Sequence, residues 1–166
     1  MKKLVVFYSL EGNTRMIAET LAEAAGADRL ELKLKEVMSP RKLIKYAQAG
    51  VQAWTGKKPE LEPFEKNPAD YDLIFIGTPV WAFSYTPPLK TFFRDCPLTG
   101  KKIALFCCYR SIKGKVFEKM RKQLTANEIL GEIAFPDPAR KETDAAKRRA
   151  AEWIKRILDK AGNETG

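Results

Sequence analysis

The sequence predicts an α/β protein: a doubly wound, five-stranded parallel sheet with helices on both faces, formed by one domain over residues 1–166. Three observations predict it. Continuous apolar runs at residues 4–8, 73–76 and 103–108 read as strands buried on both faces of a parallel sheet. Amphipathic segments with apolar residues at three-and-four spacing stand between those runs. The chain of 166 residues, 45% hydrophobic, has the size of one ordinary domain and can bury a real core.

Each element follows in order. Residues 4–8 (LVVFY) are the first strand, and Ile17, Leu21 and Ala24 mark the apolar face of the first helix. Residues 30–34 (LELKL) alternate, as an edge strand does. The stretch 36–70 is too long for a plain connection. In it, Leu43, Ile44, Ala47, Val51 and Trp54 make one helix, and TGKKPELEPFEKNP makes a proline-broken loop of the kind that often borders a site. Residues 73–76 are the third strand; Leu89, Phe92 and Phe93 follow the Pro87-Pro88 helix start. After the fourth strand at 103–108, Phe117, Met120 and Leu124 mark a third helix, and 129–135 is the fifth strand. The last helix carries Ala146, Ala150, Trp153, Ile154, Ile157, Leu158 and Ala161. Such alternation requires right-handed crossovers between parallel strands.

Composition restricts the chemistry. Histidine is absent, which removes the commonest general base, the Ser-His and Cys-His pairs and most zinc or iron ligand sets, so any reaction is expected to belong to a cofactor and no metal is expected. The three cysteines, Cys96, Cys107 and Cys108, form no C-x-x-C pair and read as reduced thiols of a cytoplasmic protein. The start MKKLVVFYS has too short an apolar run for a signal peptide, and no later run reaches membrane-spanning length, so no membrane association is expected. Net charge is +9 and uneven: residues 1–83 hold 12 Lys/Arg against 11 Asp/Glu, and residues 84–166 hold 18 against 10. Between Lys101 and Lys122 eight basic residues face only Glu118, a concentration that attracts phosphates, acidic proteins or nucleic acid; a solvated lysine-rich surface is the plainer reading.

In open α/β sheets ligands sit beyond the carboxyl ends of the strands, where the strand order reverses. The loops after Tyr8, Ile76 and Cys108 are therefore the candidates. The first, YSLEGNT, offers the Ser9 hydroxyl, Gly12 for close backbone approach, and Asn13 and Thr14 at the mouth of a helix whose free N–H groups favour an anion. It has neither the Walker ending nor a G-x-G-x-x-G pattern, and an ordinary strand-to-helix turn with a threonine cap is the competing reading. The second loop presents Trp81, Phe83 and Tyr85 after Gly77, Thr78 and Pro79. Aromatics in a loop suit a planar ring as partner, while folding back onto the core is the rival reading, for Phe83 in particular.

Together these segments resemble the flavodoxin-like family: FYSLEGNTRMIAE its phosphate loop, GTPVWAFSYTPPLKTFF its second flavin-contacting loop with a Pro-Val-Trp sequence, and FCCYRSIKGKVFEKM its third. The resemblance implies strand order 2-1-3-4-5 and FMN held noncovalently between the first and third strands. Its 5′-phosphate would lie on Ser9, Leu10, Glu11, Gly12, Asn13 and Thr14. Its isoalloxazine would lie between the loop of Thr78, Pro79, Val80, Trp81 and Ala82 and that of Cys108, Tyr109, Arg110 and Ser111. Departures from the family pattern are Glu11, where a hydroxyl residue is common and whose carboxylate is expected to face solvent; a basic third loop; and a basic chain, where electron shuttles are typically acidic.

The function expected is electron transfer, as a carrier working with a redox protein or as an NAD(P)H-linked oxidoreductase. A response-regulator receiver is set aside, because the third strand ends in IGTP rather than a phospho-acceptor aspartate. The alternative from another class is a non-redox binding module whose basic second half contacts an acidic protein or nucleic acid. No nucleic-acid motif supports that last partner. A yellow purified protein separates the two classes.

Overall fold

The computed structural model describes residues 1–36 and 58–163. Strands and helices alternate as β1 (Lys3–Phe7), α1 (Asn13–Ala25), β2 (Asp28–Glu31), β3 (Leu73–Pro79), α2 (Pro87–Asp95), β4 (Lys102–Tyr109), α3 (Val116–Arg121), β5 (Glu128–Pro136) and α4 (Thr143–Gly162). A short 3-10 turn, Pro68–Asp70, precedes β3. All neighbouring strands are parallel, in the order β2-β1-β3-β4-β5.

Side-chain alternation along the strands builds two apolar layers. Leu4 and Val6 of β1, Ile74 and Ile76 of β3, and Ile103 and Leu105 of β4 join Leu89 and Phe92 of α2 and Phe117 and Met120 of α3 on one face. Val5 and Phe7, Leu73 and Phe75, and Ala104 and Phe106 join Ile17 and Leu21 of α1 and Trp153, Ile154 and Ile157 of α4 on the other. Because both faces of the three central strands are covered, they read as unbroken apolar runs rather than as alternating ones.

Four elements differ from the sequence expectation. In α1 the buried stripe runs through Ala18, Ala22 and Ala25, and Ala24 is exposed, since it lies off the stripe centred on Leu21. Gly26, at φ 58°, ends that helix, and β2 begins two residues later, so β2 pairs over 28–31 rather than 30–34. Leu32 N–H still donates to Phe7 O at 2.8 Å, but Leu34 turns away to an antiparallel bridge with Leu61. In β5 the register slips between Ile103/Ala104 and Ile129/Gly131, so Leu130 is an extra residue of a bulge. Leu130 and Ile133 consequently face the same layer although three residues apart. Finally, α3 stops at Arg121, and Leu124 reaches the core from the turn that follows.

The helix expected around Leu43 to Trp54 lies outside the described residues. The described part of the following loop is packed: Thr91 donates to Pro59 O at 2.6 Å, and the ring of Phe64 sits 5.8 Å from that of Phe92.

All three cysteines are free, and burial raises each thiol, Cys108 to about 12. Only Cys96 is partly accessible. Native protein at mildly alkaline pH is therefore expected to release one equivalent of a chromogenic thiol reagent slowly and all three after unfolding. Rapid reaction of two or more thiols in the native state would show that the strand carrying Cys107 and Cys108 opens readily.

Candidate cofactor-binding site

Strand order reverses between β1 and β3, and the loops after β1, β3 and β4 converge there, at the carboxyl ends of the strands. The first loop is built for a tight corner. Gly12, at φ 97°, takes a conformation few other residues accept, and α1 starts directly after it. Ser9 Oγ accepts from the N–H groups of Gly12 at 3.1 Å and Arg15 at 3.2 Å, bracing the turn while its own proton stays free to donate. Arg15 is drawn to Glu31 of β2 by a two-point ion pair at 2.5 and 3.1 Å. Leu10 packs against the core.

Thr14 is the unusual residue of this corner. It is 1% exposed, and its hydroxyl has no hydrogen-bond partner. A buried hydroxyl left so costs about 1–3 kcal/mol. Cys108 is close enough for this hydroxyl to ease its ionisation slightly against the dominant effect of burial, but without hydrogen-bond geometry. The first-turn N–H groups of Asn13 and Thr14 have no intrahelical acceptor either. Donors at the positive end of a helix dipole are chemically suited to an anion.

The side chain of Asn13 is used differently. Its Oδ1 accepts from Ala139 N–H at 2.8 Å and its Nδ2 donates to Asp137 Oδ1 at 3.4 Å, tying the first loop to the connection between β5 and α4. Asp137, at φ 40°, donates its N–H to Tyr109 O at 2.7 Å and so reaches the third loop as well. Sequence reasoning missed Asp137 and Ala139. Pro136-Asp137-Pro138 is a visible turn signal, but nothing local names its partners.

In the second loop Thr78 and Thr86 are fully buried, their hydroxyls 3.2 Å apart, and Thr78 Oγ1 also accepts from Thr86 N–H at 3.2 Å. The Thr78 hydroxyl thus holds the start of α2 and donates to Pro79 O at 2.8 Å. Val80 N–H donates to Cys108 O at 3.0 Å, joining this loop to the third. Trp81 and Ser84 exchange two backbone hydrogen bonds of 2.9 Å around Ala82 and Phe83, whose φ angles are 46° and 61°. That is a two-residue hairpin turn with positive φ at both central positions.

The aromatics of this loop part company. Trp81 is half-buried and stands edge-on to Tyr8, ring centres 5.7 Å apart at 87°. Burial, with Glu31 nearby, pushes the Tyr8 phenol up to about 12. Tyr85 is 8% exposed and packs against Phe93 in the core, whereas Phe83 is 58% exposed. Of the two, Tyr85 is the core residue and Phe83 the presented one, the reverse of the balance weighed from sequence.

In the third loop Cys108 is buried, Tyr109 half-buried, and Arg110 and Ser111 exposed. Arg110 pairs with Glu11 at 2.7 Å, so the Glu11 carboxylate is committed to an ion pair that clasps the first loop to the third. Gly114, at φ 60°, lies directly under the hairpin turn: a Cβ there would come within 2.7 Å of Phe83 Cβ. Among the described residues no cluster of His, Cys, Asp and Glu could hold a metal ion.

A helix N-terminus with open donors at the switch point, faced by two loops from β3 and β4, is the candidate ligand site of a doubly wound α/β protein. The chain belongs to the flavodoxin family, whose sequence model matches residues 2–157. A flavodoxin of Maridesulfovibrio salexigens is 24% identical over 96% of this chain and 98% of its own length. Among solved structures, a flavoprotein of Lactobacillus acidophilus in complex with FMN matches with TM-score 0.69, 23% identity, and coverage of 86% of this chain and 97% of that one. A crystal structure of a Bacteroides uniformis protein matches with TM-score 0.78, 21% identity, and coverage of 93% and 97%. At these identities the two structures show the fold.

Proposed function

We propose that the protein holds FMN noncovalently and transfers electrons, as a carrier or as an NAD(P)H-linked oxidoreductase. The observation that carries the reading is the buried, partnerless hydroxyl of Thr14 at the start of α1, which a bound phosphate would satisfy. FMN also fits the donors around it: the Ser9 hydroxyl and the N–H groups at the helix mouth. The Lactobacillus acidophilus relative binds FMN on the same fold. In the bound state FMN supplies the electron transfer that a chain without histidine has few groups to perform.

The chain's own residues would bind, orient and shield it. Ser9 and Thr14 would hold the 5′-phosphate, with Leu10, Glu11, Gly12 and Asn13 shaping the loop. The loops of residues 78–82 and 108–111 would take the ring between them, Trp81 as its aromatic cover. Three free cysteines suit a reducing, cytoplasmic compartment, and among the described residues no helix is long and apolar enough to cross a membrane.

Reconstitution with FMN followed by an absorbance spectrum tests the reading, and riboflavin is the control. FMN should bind far more tightly, because the first loop is an anion site; equal affinity would remove the phosphate from it. Anaerobic titration with NADH and NADPH then separates the two roles: reduction by either marks an oxidoreductase, and reduction by dithionite alone marks a carrier.

The Glu11–Arg110 pair carries a further expectation. A reduced flavin is more negative than an oxidised one, so Arg110 favours the reduced form and Glu11 opposes it. Joined at 2.7 Å they largely cancel. Arg110→Ala should lower the potential of bound FMN and Glu11→Gln should raise it, each by the equivalent of no more than about 1 kcal/mol for a pair this exposed. Potentiometric titration of both variants checks this; shifts of the same sign would show that the pair does not act on the flavin through its charge.

A further inference from the structure

We infer that the tips of the loops after β3 and β4 form a docking face for an acidic one-electron redox protein, with Phe83 and Ile112 as its apolar centre and Lys113 and Lys115 as its charged rim. The inference deepens the electron-transfer reading and rests on it. Among the described residues, Phe83 at 58% and Ile112 at 60% are, with the terminal Met1, the large hydrophobic side chains left exposed. They belong to one place. Phe83 sits on Gly114, and Ile112 precedes Gly114 by two residues, within about 7 Å along the chain.

Exposure of Phe83 is not a by-product of easy folding. Its turn holds Ala82 and Phe83 both at positive φ, a backbone conformation that is strained at non-glycine residues. Asn-Gly would close the same hairpin without that strain. The chain thus tolerates backbone strain in a turn that leaves more than half of an aromatic residue in water. Contact with a partner accounts for that exposure, since a buried aromatic anchor in a desolvated centre carries much of an interface's affinity.

The rim selects the partner. Lys113, Lys115 and Lys119 are exposed, and Glu118, the lone acidic residue between Lys101 and Lys122, is paired with Lys122. Positive charge next to an apolar centre, with Lys113 and Lys115 flanking Gly114 in the chain and Lys113 held over the Phe117 ring, steers an acidic surface into register. A second copy of this chain, at +9, would be repelled. The two loops are also those that would hold the FMN ring, so a protein seated on their tips stands beside the cofactor site. Each encounter would pass one electron, the partner's centre being oxidised by one and the flavin reduced by one; a second encounter and protons from solvent complete the reduction.

The test titrates FMN-loaded protein with a plant-type two-iron ferredoxin, a small acidic redox protein, at low and high ionic strength. Cytochrome c, which is basic, and a short single-stranded oligonucleotide serve as comparators. One variant carries Phe83→Asn with Ile112→Ser, asparagine being tolerant of positive φ; the other carries Lys113→Glu with Lys115→Glu. Each should weaken ferredoxin binding about tenfold or more at low ionic strength, and salt should weaken the parent's binding. FMN absorbance should be unchanged in both variants, and cytochrome c should not bind. No ferredoxin binding by the parent, binding unaffected by the Phe83/Ile112 variant, or equal binding of cytochrome c would overturn the inference. Oligonucleotide binding that depends on the lysines but not on Phe83 and Ile112 would replace the acidic protein by a nucleic acid. Loss of FMN from the Phe83→Asn variant would place Phe83 over the cofactor and overturn docking while the flavin reading stands. A parent that takes up no FMN would sink the flavin reading, and the ferredoxin titration would still decide the docking face.

Discussion

Thr14→Val should make the cofactor-free protein more stable and its FMN complex weaker at the same time. The Thr14 hydroxyl is buried without a partner, so replacing it by a methyl group of similar shape removes a desolvation cost of about 1–3 kcal/mol from the folded, ligand-free state. In the complex the same hydroxyl is expected to donate to a phosphate, and a hydrogen bond to a charged group is worth about 1.5–3 kcal/mol. FMN affinity should therefore fall between roughly tenfold and 150-fold, while riboflavin affinity barely moves. Denaturant unfolding without ligand and fluorescence titration with both flavins measure the two halves separately. A variant that is less stable, yet binds FMN like the parent, would mean that the hydroxyl serves the fold and not the ligand.

Gly77→Ala is expected to be the most damaging small substitution in the sheet. Gly77 stands in register with Phe106 on the next strand, and the Phe106 ring lies across it: an added Cβ would meet three ring atoms at 2.0, 2.3 and 2.5 Å. That ring is fully buried among Phe7, Ile17 and Phe75, so it has nowhere to swing. Overpacking typically costs about 1–3 kcal/mol, and contacts this close place Gly77→Ala at the upper end, which for a chain this size lowers Tm by roughly 6–12 °C. Because Gly77 immediately precedes the second loop, FMN binding should fall with stability. Phe106→Leu in the same chain should restore part of both, a coupling that a double-mutant cycle reads directly. Stability within 1 kcal/mol of the parent for Gly77→Ala alone would show that this layer is loosely packed.

Much of the fold was legible because its signals are local. The runs LVVFY, LIFI and IALFCC are apolar at every position, and such runs are stable only where both faces are covered, which already implies helices on two sides of a parallel sheet. Gly12 before Asn13 and Pro87-Pro88 before Leu89 mark helix starts by backbone chemistry that needs no distant partner. The corner at Gly12 and the helix mouth after it were readable on the same ground, since the two are contiguous in the chain. What remained illegible depends on residues far apart in sequence or on a register that periodicity does not encode. The slip at Leu130 changes which face every later residue of β5 presents, yet leaves no trace in composition. The Asn13–Ala139 and Glu11–Arg110 contacts join positions 126 and 99 residues apart, and a side chain's type limits its partners without naming them. Phe83 and Tyr85, two residues apart and both aromatic, exchange their expected places because the Trp81–Ser84 hairpin aims one outward and leaves the other against Phe93. Local free energies select strands, helices and corners; the orientation of side chains within a loop is settled by packing between segments, a balance that exists only once the chain has closed on itself.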